Sequence, residues 1–169
     1  DSIRGEVVLF GGSASGTLLG DTWIWNGSTW RLANPSSFPS PRAAAAMTFD
    51  PLRAIALLHG GMDATGTFLA ETWAWTGTDW LYIGSGPTAR IGAAMTYDAV
   101  GGNVMLFGGT SSAGSRGDLF DTWIWHGAGW FQFPTPSPNP PSRGGHGLCF
   151  DPLRNTVICH GGFQATDWL

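Results

Sequence analysis

The sequence predicts an all-β fold assembled from tandem units of about 50 residues, and three observations predict it. Apolar runs closed by Gly-Gly recur as VVLFGG, ALLHGG, VMLFGG and VICHGG, with first glycines Gly11, Gly60, Gly108 and Gly161, spaced 49, 48 and 53 residues apart. A second marker, DTWIWNGSTW from Asp21, ETWAWTGTDW from Glu71 and DTWIWHGAGW from Asp121, repeats every 50 residues. Finally, 26 Gly and 11 Pro break up the chain and no long apolar stretch has helical period, while ten Trp and ten Phe argue against disorder.

Each unit divides into four strands by its turn chemistry. The first is the run before the aspartate in PRAAAAMTFD, ARIGAAMTYD and SRGGHGLCFD, which end at Asp50, Asp98 and Asp151. Asp-Pro or Asp-Ala then favours a tight turn. The VVLF-type run is nearly all apolar, as for a strand buried on both faces, and it stops at Gly-Gly, where positive φ is accessible. T-W-x-W puts two indoles on one face of the third strand. Asn26-Gly27, Thr76-Gly77 and His126-Gly127 are hairpin turns into a fourth strand that begins at Trp30, Trp80 or Trp130. Nine of the ten Trp keep this register: Trp23, Trp25, Trp30, Trp73, Trp75, Trp80, Trp123, Trp125 and Trp130.

These residues carry a family resemblance. Gly-Gly after a short apolar strand (Gly11-Gly12, Gly60-Gly61, Gly108-Gly109, Gly161-Gly162), then D-T-W, a further Trp and R-x-x-x-x-M-x-[FY]-D resemble the kelch repeat. The resemblance implies a β-propeller of four-stranded antiparallel blades, with the first strand nearest the channel and the Trp packed between blades. His59 and His160 depart from the pattern where Phe10 and Phe107 stand, and only His146 supplies the R-x-G-H form. One segment of about three blades is expected over residues 1–169, with repeats at about 1–49, 50–97 and 98–150 and a partial one at 151–169. Such propellers commonly close with about six or seven blades. An incomplete propeller exposes apolar faces and strand edges. The expectation is therefore a fragment of a longer propeller or a homo-oligomer of part-propellers.

Charge and composition exclude several functions. The net charge is −4, the eight basic residues are all Arg and stand singly, so no basic stripe suits nucleic acid. No apolar run approaches the ~18 residues of a membrane span. Cys149 and Cys159 flank the turn at Asp151-Pro152, either as half-buried thiols or as a cross-strand disulfide, and their spacing is no zinc signature.

Features that break the repeat are the better functional candidates. Arg42, Arg90 and Arg143 recur before each first strand, on the rim that also carries Asp21, Glu71 and Asp121. They either pair with those carboxylates or form an arginine-lined mouth for acidic partners. The long loops Ser13–Gly20, Met62–Ala70, Thr110–Phe120, Ala33–Pro41, Gly84–Ala89 and Pro134–Ser142 are expected on one face, the default interaction surface. Arg116, Asp118 and Phe120 join the three rim arginines as the candidate binding face. The Pro134–Pro141 stretch is expected to be stiff and extended.

The four histidines, His59, His126, His146 and His160, do not spell a catalytic set. His59 and His160 end equivalent strands, where they either pack beside Gly-Gly or meet at a channel neck. A copper site like that of galactose-oxidase-like proteins needs tyrosine ligands, and only Tyr82 and Tyr97 occur. No cofactor, metal site or enzymatic activity of this segment is expected. The expectation is a binding or scaffold module whose partner is a protein or further copies of itself. The alternative is the non-catalytic scaffold part of a secreted carbohydrate-active or galactose-oxidase-like enzyme, or a glycan-binding propeller. The Lys-free, Trp-rich composition resembles bacterial secreted or cell-surface proteins, so an extracellular or cell-surface location is favoured.

Overall fold

The computed structural model describes residues 1–111, 118–135 and 137–164. Among them lie only strands, each sheet an antiparallel meander in chain order. The first sheet holds β1 (Val7–Ala14), β2 (Thr17–Trp25) and β3 (Trp30–Leu32). The second holds β4 (Ala46–Asp50), β5 (Ile55–His59), β6 (Glu71–Trp75) and β7 (Trp80–Ser85). The third holds β8 (Ala94–Asp98), β9 (Asn103–Phe107), β10 (Thr122–Trp125) and β11 (Trp130–Phe133). The fourth pairs β12 (Gly144–Asp151) with β13 (Thr156–Phe163). Two sheets thus have the four strands expected, one has three and one has two.

The turns form for the reasons their residues suggest. Asp50 ends β4, and its Oδ1 accepts from the amides of Leu52 (3.0 Å) and Arg53 (3.2 Å) while Arg53 returns to Oδ2 at 2.7 Å. Asp1 and Asp151 make the same closed turn with Arg4 and Arg154. Asn26 Oδ1 accepts from the amides of Ser28 and Thr29, so side chain and backbone close the β2–β3 hairpin together.

Strand alternation distributes the core over both faces of each sheet. On β5, Ala56 and Leu58 join Ile24, Trp75 and Trp80 in one cluster shared by the first and second sheets. Leu57, between them, points the other way into a cluster with Ala74, Val104, Leu106 and Trp125 of the second and third sheets. A continuous apolar run is what a strand buried on both faces requires. The first strands of successive four-strand units meet as well, β4 lying against β8 and β8 against β12. Where they converge they line a cavity of about 460 Å³ that includes Thr48, Thr96 and Cys149.

One expectation needs correction. Ser13–Gly20, expected as a loop, is mostly the end of a long hairpin in which Ala14 pairs with Thr17 across Ser15 and Gly16. Both turn residues have positive φ (51° and 80°), the geometry a two-residue hairpin loop needs. Of the two readings of the cysteines, free thiols are the one found, with Cys159 half-buried and Cys149 exposed. Cys149 faces Ile158 and Cys159 faces Leu148, so a one-residue offset puts the two sulfurs on opposite faces of the sheet.

Candidate functional site

The recurring arginines work as staples between successive sheets. The Arg42 carbonyl accepts from Gly12 (2.9 Å) and its amide donates to Leu19 (3.1 Å), both in the first sheet. Its guanidinium then crosses to the second sheet, donating to the Gly60 carbonyl at 3.2 Å and to Glu71 Oε2 at 2.6 Å. Arg90 repeats the pattern one sheet on. Its backbone bonds Gly61 and Leu69, and its guanidinium reaches the Gly108 carbonyl and grips Asp121 through two bonds of 2.8 and 2.9 Å. Arg143 bonds Gly109 and Leu119 and reaches the Gly161 carbonyl at 3.0 Å.

The first glycine of each Gly-Gly pair makes room for the staple. A Cβ on Gly60 would lie 2.5 Å from the Arg90 carbonyl oxygen, and one on Gly11 would lie 2.7 Å from that of Arg42. Burial alone would raise the carboxyl pKa values of Glu71 and Asp121. The arginine bonds and the indole donors Trp73 and Trp123 outweigh it and hold both below the ordinary carboxylate range.

Arg42 and Arg90 are each 1 % exposed. The carboxylate pairing is thus the arrangement found, and neither of these two candidate binding-face residues reaches the surface. Arg143 is half-buried, with Nε on the Pro141 carbonyl. Arg116 lies outside the described residues. Asp118 is partly buried and accepts from the Thr110 hydroxyl at 2.9 Å. Phe120 is 52 % exposed, and its carbonyl accepts from Asn139, which ties the third long loop to the proline-rich linker.

A second lock uses the fourth-strand tryptophans. Trp80 Nε1 donates to Thr22 Oγ1 in the preceding sheet at 2.9 Å, and Trp130 Nε1 donates to Thr72 Oγ1 at the same distance. Each indole also packs on the residue before Gly-Gly of that preceding sheet: Trp80 edge-on against Phe10 at 5.1 Å, Trp130 against His59 at 5.6 Å. His59 is therefore under Trp130 at a sheet junction rather than at a channel neck. Its Nδ1 lies 3.1 Å from Thr72 Oγ1, while Nε2 is buried without a partner. Burial, helped by the charges of Arg90 and Arg42, lowers its pKa to about 3, so the ring is neutral. His160 is exposed, and His146 packs edge-on against Phe107 at 5.4 Å. No group of three or more His, Cys, Asp or Glu arranged for a metal ion occurs among the described residues.

Sequence reasoning missed two devices. The arginine of the Asp-x-x-Arg turn clasps the next sheet on the opposite face, Arg4 donating to the Thr76 carbonyl at 2.7 Å and Arg53 to that of His126 at 2.5 Å. The recurrence of D-x-x-R at Asp1, Asp50 and Asp151 was the available signal. The acceptor role of the threonine in D-T-W left no signal beyond its repetition at Thr22, Thr72 and Thr122.

The backbone bonds of Arg42, Arg90 and Arg143 set the linkers beside the ends of the long hairpin loops, so these segments share one face. There a groove of about 700 Å³ opens between two adjoining sheets, lined by Ser13, Thr17, Leu18, Pro41, Asp63 and Thr65 among others. Asp63 Oδ1 accepts from the Thr65 hydroxyl and from the amides of Thr65 and Thr67. The Thr65 hydroxyl, and then the Thr67 amide, hold its carboxyl below the usual range.

These features define an all-β protein of serially packed antiparallel sheets, stapled by arginines and keyed by tryptophans. Its backbone is similar to the solved structure of YjhT, at 16 % sequence identity and a TM-score of 0.72. The likeness covers 94 % of this chain and 56 % of that one, so the chain spans little more than half its length. No family model and no curated protein matches the sequence. Among the described residues no helix is long and apolar enough to cross a membrane.

Proposed function

We propose that the sheets are whole and partial blades of a kelch-type β-propeller. The chain then serves as a binding scaffold, presenting its long-loop face to a protein partner or to further copies of itself. The observation that carries this reading is the groove of about 700 Å³ between the first and second long loops. Its walls belong to two sheets tied by the buried Arg42 staple, so the surface is preformed and loses little entropy on binding. Asp63 stays ionised at its edge, which favours a partner with a basic or hydrogen-bond-donating group there.

Thr17→Arg with Ala64→Arg fills the groove from two exposed positions. The pair is expected to weaken partner capture by about tenfold or more, a loss of about 1.4 kcal/mol, with an unchanged melting temperature. Leu153→Arg, at a turn 89 % exposed on the short-loop face, is the control and should bind as the parent does. Equal capture by all three proteins would contradict the reading.

A further inference from the structure

We propose that the groove on the long-loop face takes a lysine side chain of another polypeptide, its ammonium on Asp63 Oδ2 and its methylene stem on Leu18, Pro41 and Met62. The inference rests on that groove being the docking surface and adds which group it reads. Both walls are held before anything binds. Met62 exchanges two backbone bonds with Ala43, of 2.9 and 3.1 Å, which lace the second long loop to the linker carrying Pro41. Opposite, Leu18 pairs with Ser13 and Thr17 with Ala14 in the long hairpin of the first sheet. A Cβ on Gly16 or Gly66 would meet no atom within 4 Å, so the space beside both loop tips is open.

Asp63 is arranged to receive one point donor. Its Oδ1 accepts from the Thr65 amide at 2.9 Å, the Thr65 hydroxyl at 2.7 Å and the Thr67 amide at 3.0 Å, whereas Oδ2 takes no bond from any described residue. A carboxylate has about two lone-pair sites per oxygen, so Oδ1 is saturated and Oδ2 alone is left. An arginine fork needs both oxygens at once, and an ammonium needs only one. The backbone fixes the direction of that oxygen. The Asp63 amide donates to the Thr67 carbonyl and the Gly66 amide to the Asp63 carbonyl, each at 3.0 Å. Asp63 belongs to no ion pair among the described residues, and the charge of Arg42 is spent on Glu71.

The rest of the lining suits the rest of a lysine. No lining residue is aromatic or cationic. Leu18, Pro41 and Met62 offer apolar contact to a stem that lysine buries while its head stays in a polar setting. The hydroxyls of Ser13 and Thr17 line the same groove, further acceptors for an ammonium with three donors. A second copy cannot supply the group. The chain has no lysine, and every described arginine is already bonded to a carboxylate or carbonyl of its own chain. The occupant is therefore a different polypeptide, and charge complementarity selects it.

The test titrates the capped peptide acetyl-Gly-Lys-Gly-amide into the isotope-labelled whole chain and follows backbone amide shifts by NMR. Saturable shifts of the Thr65, Thr67 and Leu18 amides are expected. Acetylating the peptide's ammonium, or Asp63→Asn in the chain, should each weaken binding by about tenfold or more, as loss of a charge pair does. Arginine in place of lysine should weaken it by about threefold or more, because one free oxygen cannot take the fork. Asp63→Asn keeps an oxygen for the loop amides; should it still fail to fold, the acetylated peptide asks the same question of the unaltered protein. Absence of saturable shifts, shifts confined to residues outside the groove, indifference to acetylation, or an arginine peptide that binds as tightly would each overturn the proposal. If Thr17→Arg with Ala64→Arg abolishes partner capture while the lysine peptide leaves the parent chain unmoved, the docking surface stands and the lysine falls.

Discussion

The junction between the first and second sheets and that between the second and third are one fixture with different residues at two points. Both have a tryptophan keyed to a threonine, an arginine staple and an Asp-x-x-Arg clasp. At the first junction the indole packs on Phe10; at the second it packs on His59. The first staple makes a single bond to Glu71, whose side chain is 38 % exposed; the second grips Asp121, 15 % exposed, with two. The geometry is conserved within the molecule while its electrostatic cost is not. The second junction buries more charge and an imidazole held neutral, so it depends more on its partners and on pH.

The sharpest way to break that comparison is to remove each staple in turn. Arg90→Ala leaves Asp121 in a half-buried site without its cation and should lower the free energy of unfolding by about 3–5 kcal/mol. Arg42→Ala should cost clearly less, because Glu71 can rehydrate. Urea unfolding of both variants checks the order, and equal losses would erase the distinction.

The next effect is pH-dependent. His59 has a folded pKa of about 3, below the ordinary 6.5, so unfolding takes up a proton in between. Its neutral form contributes fully above pH 6.5, and that contribution is lost as pH falls toward 3, by an amount on the order of a few kcal/mol. His59→Phe copies the first junction. It should match the parent near neutrality and lose less stability than the parent between about pH 6.5 and 5, where Glu71 and Asp121 remain ionised. Thermal melts across that window measure it, and an unchanged acid slope would show that the imidazole does not set it.

The smallest effect tests the sameness of the key. Thr72→Val and Thr22→Val each strand an indole N–H, at a cost of about 1–2 kcal/mol. The two losses should agree, apart from the His59 contact that only Thr72 makes.

How much of this was legible in the sequence follows from what a repeat encodes. Order within a sheet was legible, because Gly-Gly, Asp-Pro and Asn-Gly are local turn chemistry and Trp spacing is strand alternation. The destinations of side chains between sheets were not. Arg42 and Arg90 read first as partners of the rim carboxylates and second as a binding mouth, and the sequence could not decide, since exposure depends on where the neighbouring sheet stands. Ser13–Gly20 looked like a loop, yet Ser15 and Gly16 suffice for a turn and the flanks pair on as strands. The apolar run at Val7–Phe10 was read as a strand buried on both faces, but Val7 and Leu9 are 55 and 43 % exposed, because among the described residues β1 has a neighbour on one edge only.

The measurement that bears most directly on this picture is residue-resolved amide hydrogen exchange of β1 against β5, two strands of equivalent sequence and different company. Amides of β5 should exchange only on global unfolding, whereas those of β1 not bonded to β2 should exchange orders of magnitude faster. Equal protection of the two strands would contradict it, since burial would then follow from the strand itself and not from the sheet beside it.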